Sequence, residues 1–90
     1  MNENTRVTLI KHLDVTDLSG EKVMVDFETG KYFLLKGVAN DIWEYIQQPI
    51  TIKQIKDQLL GEYEVDETTC LNEIEKFISQ LETNNFVELA

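Results

Sequence analysis

The chain has few of the residues that carry chemistry. Its 90 residues include one cysteine, one histidine and one proline. With Cys70 alone, no internal disulfide can close. Cys70 falls within an apolar helical stripe, where an unpaired cysteine packs as a small hydrophobe. The single histidine, His12, belongs to a distant strand-like segment, so the sequence offers Cys70 no general base. One His and one Cys make no zinc site without several carboxylates, and there is no glycine-rich phosphate loop. Neither a metal nor a cofactor is expected, and a binding role is preferred to catalysis. An acidic carrier protein would suit the size and charge. It would need a serine opening a helix, and the near match Asp17-Leu18-Ser19 stands in a turn and in the wrong order.

Long apolar runs are also missing. No stretch approaches the ~18 residues of a membrane-spanning helix. The opening Met1-Asn2-Glu3-Asn4-Thr5-Arg6 is polar and lacks the basic start and apolar centre of a signal peptide. A cytoplasmic protein with no membrane partner is expected. Basic residues are scarce: eight Lys and Arg against 17 Asp and Glu, a formal net charge of −9. Nucleic acid binding draws most of its affinity from neutralising phosphates, so this surface argues against DNA or RNA as a partner. The excess is concentrated after residue 50, with nine acids and three bases, whereas the first fifty residues hold eight and five.

What is present is an ordinary globular composition, 42% apolar, in a chain that buries only about 60–65% of its unfolded surface. One domain over residues 1–90 is expected. The first strand is loosely written: Val7-Thr8-Leu9-Ile10 and Leu13-Asp14-Val15 both have β character, with a bend or bulge at Lys11-His12. Ser19-Gly20 reads as a turn. A second strand, Lys22 to Phe27, places Val23, Val25 and Phe27 on one face and Met24 and Asp26 on the other. Glu28-Thr29-Gly30-Lys31 makes a hairpin turn in which Gly30 takes positive φ. The third strand, Lys31 to Leu35, is apolar on both faces.

Three helices follow. The first runs from about Val38 to Gln47, with Val38, Ala39, Ile42, Trp43, Tyr45 and Ile46 on its apolar face and Trp43 read as core. The second opens after Pro49 with Thr51 as N-cap, carries Ile52, Ile55, Leu59 and Leu60, and ends at Gly61. The third starts at Asp66 and buries Cys70, Leu71, Ile74, Phe77, Ile78 and Leu81. Asn84-Asn85 turns the chain, and Phe86-Val87-Glu88-Leu89 adds a short extended tail. The second and third helices make a helix-turn-helix. The expected fold is α+β: a small winged helix-turn-helix with a three-stranded antiparallel sheet followed by three helices.

Two segments are distinctive together. Gly20-Glu21-Lys22-Val23-Met24-Val25-Asp26-Phe27-Glu28-Thr29-Gly30-Lys31-Tyr32-Phe33-Leu34-Leu35 resembles the hairpin of PqqD-like proteins, and Ala39-Asn40-Asp41-Ile42-Trp43-Glu44-Tyr45-Ile46 resembles the helix that follows it. Phe77-Ile78-Ser79-Gln80-Leu81 and Phe86-Val87-Glu88-Leu89 fit as well, so the resemblance spans roughly residues 8 to 89. Lys36-Gly37-Val38-Ala39 stands where that family often has Asn, Pro, Thr and Gly, and Asn85 stands where Gly is common. The resemblance implies a RiPP recognition element in its discrete form. Such a module binds the leader segment of a ribosomally made precursor peptide and presents it to a modifying enzyme, either a leader peptidase and cyclase in lasso-peptide pathways or a radical SAM enzyme. It also implies that the leader adds as a strand beside the third strand, in a groove walled by the third helix.

On this reading the docking edge is Lys31, Tyr32, Phe33, Leu34 and Leu35. Either Phe33 with Leu35 or Tyr32 with Leu34 faces the groove. Lys31 and Lys36 guard the strand ends or meet acids of a leader. On the third helix, one border of the stripe carries Glu73, Gln80 and Asn84 beside Cys70 and Phe77, and the other carries Glu75 and Glu82 beside Leu71 and Ile78. The favoured wall is Cys70, Glu73, Lys76, Phe77 and Gln80, because Phe77 offers an aromatic anchor flanked by hydrogen-bonding groups. A monomer is expected. The alternatives are a DNA-binding winged helix, which shares the topology but sets Lys76 against Glu67, Glu73, Glu75 and Glu82, or another protein-interaction domain.

Overall fold

The computed structural model describes residues 1–11, 13–19 and 21–90. The expected sheet and three helices are present, and the β part is richer than the alternation suggests. Val7-Thr8-Leu9 and Leu13-Asp14-Val15 do not make one strand. Strand β1 (Arg6–Leu9) is the centre of a small sheet of its own, between β5 (Ile50–Thr51) and β6 (Val87–Leu89). Strand β2 (Asp14–Leu18) instead joins β3 (Glu21–Asp26) and β4 (Lys31–Leu35) in a second antiparallel sheet of order β2-β3-β4. The split has a packing cause. Val7 and Leu13 both enter the core while Ile10 between them is exposed, and Lys11 turns its side chain onto Asp26. His12 of the expected bend, and Gly20 of the expected Ser19-Gly20 turn, lie outside the described residues.

The second strand also ends earlier than expected. Asp26 closes β3 because its carboxylate accepts hydrogen bonds from the Glu28 N–H at 3.1 Å and the Thr29 hydroxyl at 2.9 Å. Gly30 N–H donates to the Asp26 carbonyl at 2.8 Å, and Gly30 takes φ 73°. Phe27 therefore belongs to the turn and is 76% exposed, off the face assigned to it with Val23 and Val25. It is Met24 on the opposite face that enters the main core.

Helix α1 (Val38–Tyr45) buries Ile42 and Trp43. Helix α2 (Ile52–Glu62) opens on a capping box: Thr51 Oγ1 accepts from Gln54 N–H at 3.2 Å and Gln54 Oε1 accepts from Thr51 N–H at 2.9 Å. Its remaining free N–H groups find the chain's first residues, Ile52 N–H donating to Thr5 O and Lys53 N–H to Glu3 O, both at 2.9 Å. Gly61 does not end α2; the helix runs to Glu62 and Tyr63 N–H closes on Leu59 O. Helix α3 (Glu67–Thr83) starts on the Asp66 cap, which accepts from Thr69 N–H at 2.7 Å. It ends where Asn85 takes φ 61°. Lys56, which the stripe of α2 does not foretell, is buried and donates to Glu3 and Glu67. The core of Ile42, Ile46, Ile55, Ile74, Ile78 and Leu81 lies among the helices. Phe86 ties it to the hairpin by an edge-on contact with Phe33, 5.4 Å between centroids.

Candidate functional site

β4 pairs with β3 from Asp26↔Lys31 to Lys22↔Leu35. It is the last strand of its sheet, and among the described residues no strand meets its other side. The burial decides between its two faces. Phe33, opposite Met24, and Leu35, 5% exposed, turn to the core. Tyr32 and Leu34 turn outward, 71% and 46% exposed. An extended segment docked beside β4 would continue this alternation.

The chain leaves β4 through Lys36 and Gly37. Gly37 takes φ 57° and ψ −130° and opens α1 without a side-chain cap, a conformation in which L residues are strained. The tight passage, with Ala39 N–H donating to Lys36 O at 3.1 Å, sets Lys36, Val38 and Ala39 against α3. Between them and Glu73, Lys76, Phe77 and Gln80 runs a cleft of about 150 Å³. Val38 and Glu73 also border a second, more apolar hollow of about 210 Å³ with Leu59, Tyr63, Glu64, Val65 and Cys70. The two form one trough along α3.

Glu73, Lys76, Phe77 and Gln80 are thus brought together on the first stretch and Cys70 on the second. Lys31, Tyr32, Phe33, Leu34 and Leu35 form the adjoining edge strand and border neither hollow. Asn84, placed by sequence on the same border, donates its side-chain N–H to Gln80 O at 2.8 Å and serves the helix end instead. Glu82, on the alternative border, lies beside Met1, Thr5 and Ala90 at the terminal sheet. Val38, Ala39, Tyr63 and Val65 were not foreseen as lining. The Gly37 turn at the N-terminus of α1 signals the first two, whereas Tyr63 and Val65 come from the connection between α2 and α3. A larger open hollow of about 790 Å³ between α1 and α2, bordered by Glu44, Gln48, Gln58 and Glu62 among others, includes nothing of β4 or α3.

Burial and hydrogen bonding set the titration of groups in and around the trough. Burial pushes the Cys70 thiol up, so the sulfur stays protonated. The Tyr63 hydroxyl donates to Asp41 Oδ2 at 2.5 Å, and that bond raises its pKa. Burial, with Glu62 accepting its hydroxyl, pushes Tyr45 up to about 12. At the far end of the hairpin, the Lys11 ammonium 3.0 Å from Asp26 holds that carboxyl below its usual range. No group of metal-ligating side chains is assembled among the described residues, and no helix there is long and apolar enough to cross a membrane.

A family model described as Coenzyme PQQ synthesis protein D (PqqD) matches residues 21–87, from β3 through the first residue of β6. The chain belongs to the PqqD family. Its fold agrees with that of solved structures. One, of TbiB1 in complex with the TbiA(beta) leader peptide, superposes with TM-score 0.75 at 25% identity, over 90% of this chain and 94% of that one. Another, of lasso peptide synthetase B1 complexed with the leader peptide, superposes with TM-score 0.70 at 21% identity, over 91% and 96%. No curated protein matches the chain by sequence. In this PqqD family member the matched residues include both β4 and the stretch of α3 that lines the trough.

Proposed function

We propose that this protein binds the leader segment of a ribosomally synthesised precursor peptide, as an added strand on β4 with α3 as the second wall, and delivers it to a peptide-modifying enzyme in the cytoplasm. The enzyme is a leader peptidase with its cyclase or a radical SAM enzyme, and this chain contributes binding rather than catalysis. The observation that carries the reading is the unpaired edge of β4 beside a trough lined by Phe77, in a member of the PqqD family. That TbiB1 and lasso peptide synthetase B1 are complexed with leader peptides supports it.

Strand addition supplies main-chain hydrogen bonds, and pockets for alternate side chains supply selectivity. The interface would fall near or below the low end of the standard ~1,200–2,000 Å². Ordering a free leader costs about 2–5 kcal/mol, so micromolar to high-nanomolar affinity is expected. A DNA-binding role finds no support in the charge, since α3 exposes Lys76 among Glu67, Glu73 and Glu82.

The test uses synthetic peptides spanning the leaders of short precursors encoded beside the gene. Hydrogen exchange should show new protection at β4 amides on binding. Leu34→Asp, an outward position on the edge strand, should weaken binding at least tenfold while leaving the unfolding transition in place. Binding with no change at β4, or unchanged affinity in Leu34→Asp, would remove β4 from the proposal.

A further inference from the structure

The composition of the trough says more about its occupant. In a chain with eight bases against 17 acids, a lysine normally finds an acid. Lys11, Lys53 and Lys56 do, with carboxylates within ion-pair distance. Among the described residues Lys22, Lys31, Lys36 and Lys76 do not. Lys22 belongs to β3, inside the sheet. The other three are at the proposed site: Lys31 and Lys36 bracket β4, and Lys36 and Lys76 line the cleft from opposite walls. Protection of a bare edge against chance pairing accounts for lysines on the strand. It does not account for Lys76, which belongs to a helix.

The dimensions limit how many side chains the cleft takes. Glu73 to Gln80 covers about 10 Å of helix at 1.5 Å per residue. Successive same-side residues of a strand are about 6.7 Å apart. Two side chains of a docked strand therefore face this stretch. The cleft offers them two environments, an apolar floor of Val38, Ala39 and Phe77 and a cationic rim of Lys36 and Lys76. Glu73, the single acid of the lining, is shared with the apolar hollow toward Val65 and Cys70.

Resting on the leader-binding reading, we infer that Lys36 and Lys76 set the selectivity of the site. The leader carries an Asp or Glu side chain at one cleft-facing position and an aliphatic or aromatic side chain two residues away. The carboxylate lies between the two ammonium groups, and the apolar side chain covers Phe77.

A displayed library of random twelve-residue peptides, selected on the intact protein and on the double variant Lys36→Glu/Lys76→Glu, tests this. The wild type should enrich Asp or Glu two positions from an apolar residue, and the double variant should enrich Lys or Arg at that same position. Lys36→Ala or Lys76→Ala should each weaken the selected peptide about two- to fivefold, as partly exposed ion pairs do. Enrichment of alternating apolar residues with no acid, or the same acid selected by the charge-reversed variant, overturns the inference and leaves leader binding standing. Failure to enrich any extended peptide overturns both.

Discussion

At the scale of single residues, Asp26 shows how much one side chain organises. It is 3% exposed and accepts from Lys11, from Thr29 and from the Glu28 backbone. The Lys11 ammonium does most to hold its carboxyl below the ordinary value of 3.8. The unfolded chain binds a proton at this group more readily than the folded one does. Asp26 therefore adds stability above about pH 4, and that contribution is lost as the pH falls through the lowered native value. Asp26→Asn should flatten the acid limb of the stability curve below about pH 4, read by urea unfolding at a series of pH values. An acid limb as steep as that of the wild type would show that other carboxylates govern it. The sequence placed Asp26 with Met24, opposite Val23 and Val25, which is how β3 is built. It could not show that Lys11, fifteen residues earlier, would meet it. Nor could alternation alone show that the strand stops before Phe27, since the stop is made by a side-chain hydrogen bond rather than by hydrophobic pattern.

At the scale of elements, the helices were legible and the smaller strands were not. Ile52, Ile55 and Leu59, and Cys70, Ile74, Phe77, Ile78 and Leu81, recur at helical spacing and are buried, because a helix face is defined by its own periodicity. Thr51 was readable as a cap from its type and place. Its replacement by alanine removes one side of the capping box and should cost about 1 kcal/mol, measured as a shift in the urea midpoint at unchanged slope. A loss near zero would mean that Thr5 and Glu3, which accept the next N–H groups, hold the helix start unaided. Strand β5 has only two residues and carries no pattern at all. It exists because Arg6 and Val7 lie alongside it. The two faces of β4 were equally apolar on paper. What separates Phe33 and Leu35 from Tyr32 and Leu34 is the presence of Phe86 and the helices on one side, which is tertiary information. The border of α3 was similarly open until the Gly37 turn brought Val38 and Ala39 against Phe77.

At the scale of the whole molecule, two sheets and three helices share one core, and Phe86 is the joint between them. It precedes β6, is almost wholly buried, meets Phe33 edge-on and has the Lys11 ammonium 5.8 Å from its ring centroid, a distance at which a cation is attracted to a ring face. Phe86→Ala should destabilise the fold by about 3–5 kcal/mol, more than Phe33→Ala, whose ring is only partly buried. Chemical denaturation of both variants checks the order, and the reverse order would place the joint in the hairpin. One further consequence follows from the small sheet around β1. Arg6 and Ala90 exchange backbone hydrogen bonds at 2.8 and 3.0 Å, so the two termini emerge side by side on a ribbon that is separate from β4. A flexible tether, a fluorophore or an entire catalytic polypeptide can be grafted at either extremity, or the domain inserted within a host loop, with the vacant β4 border left unobstructed.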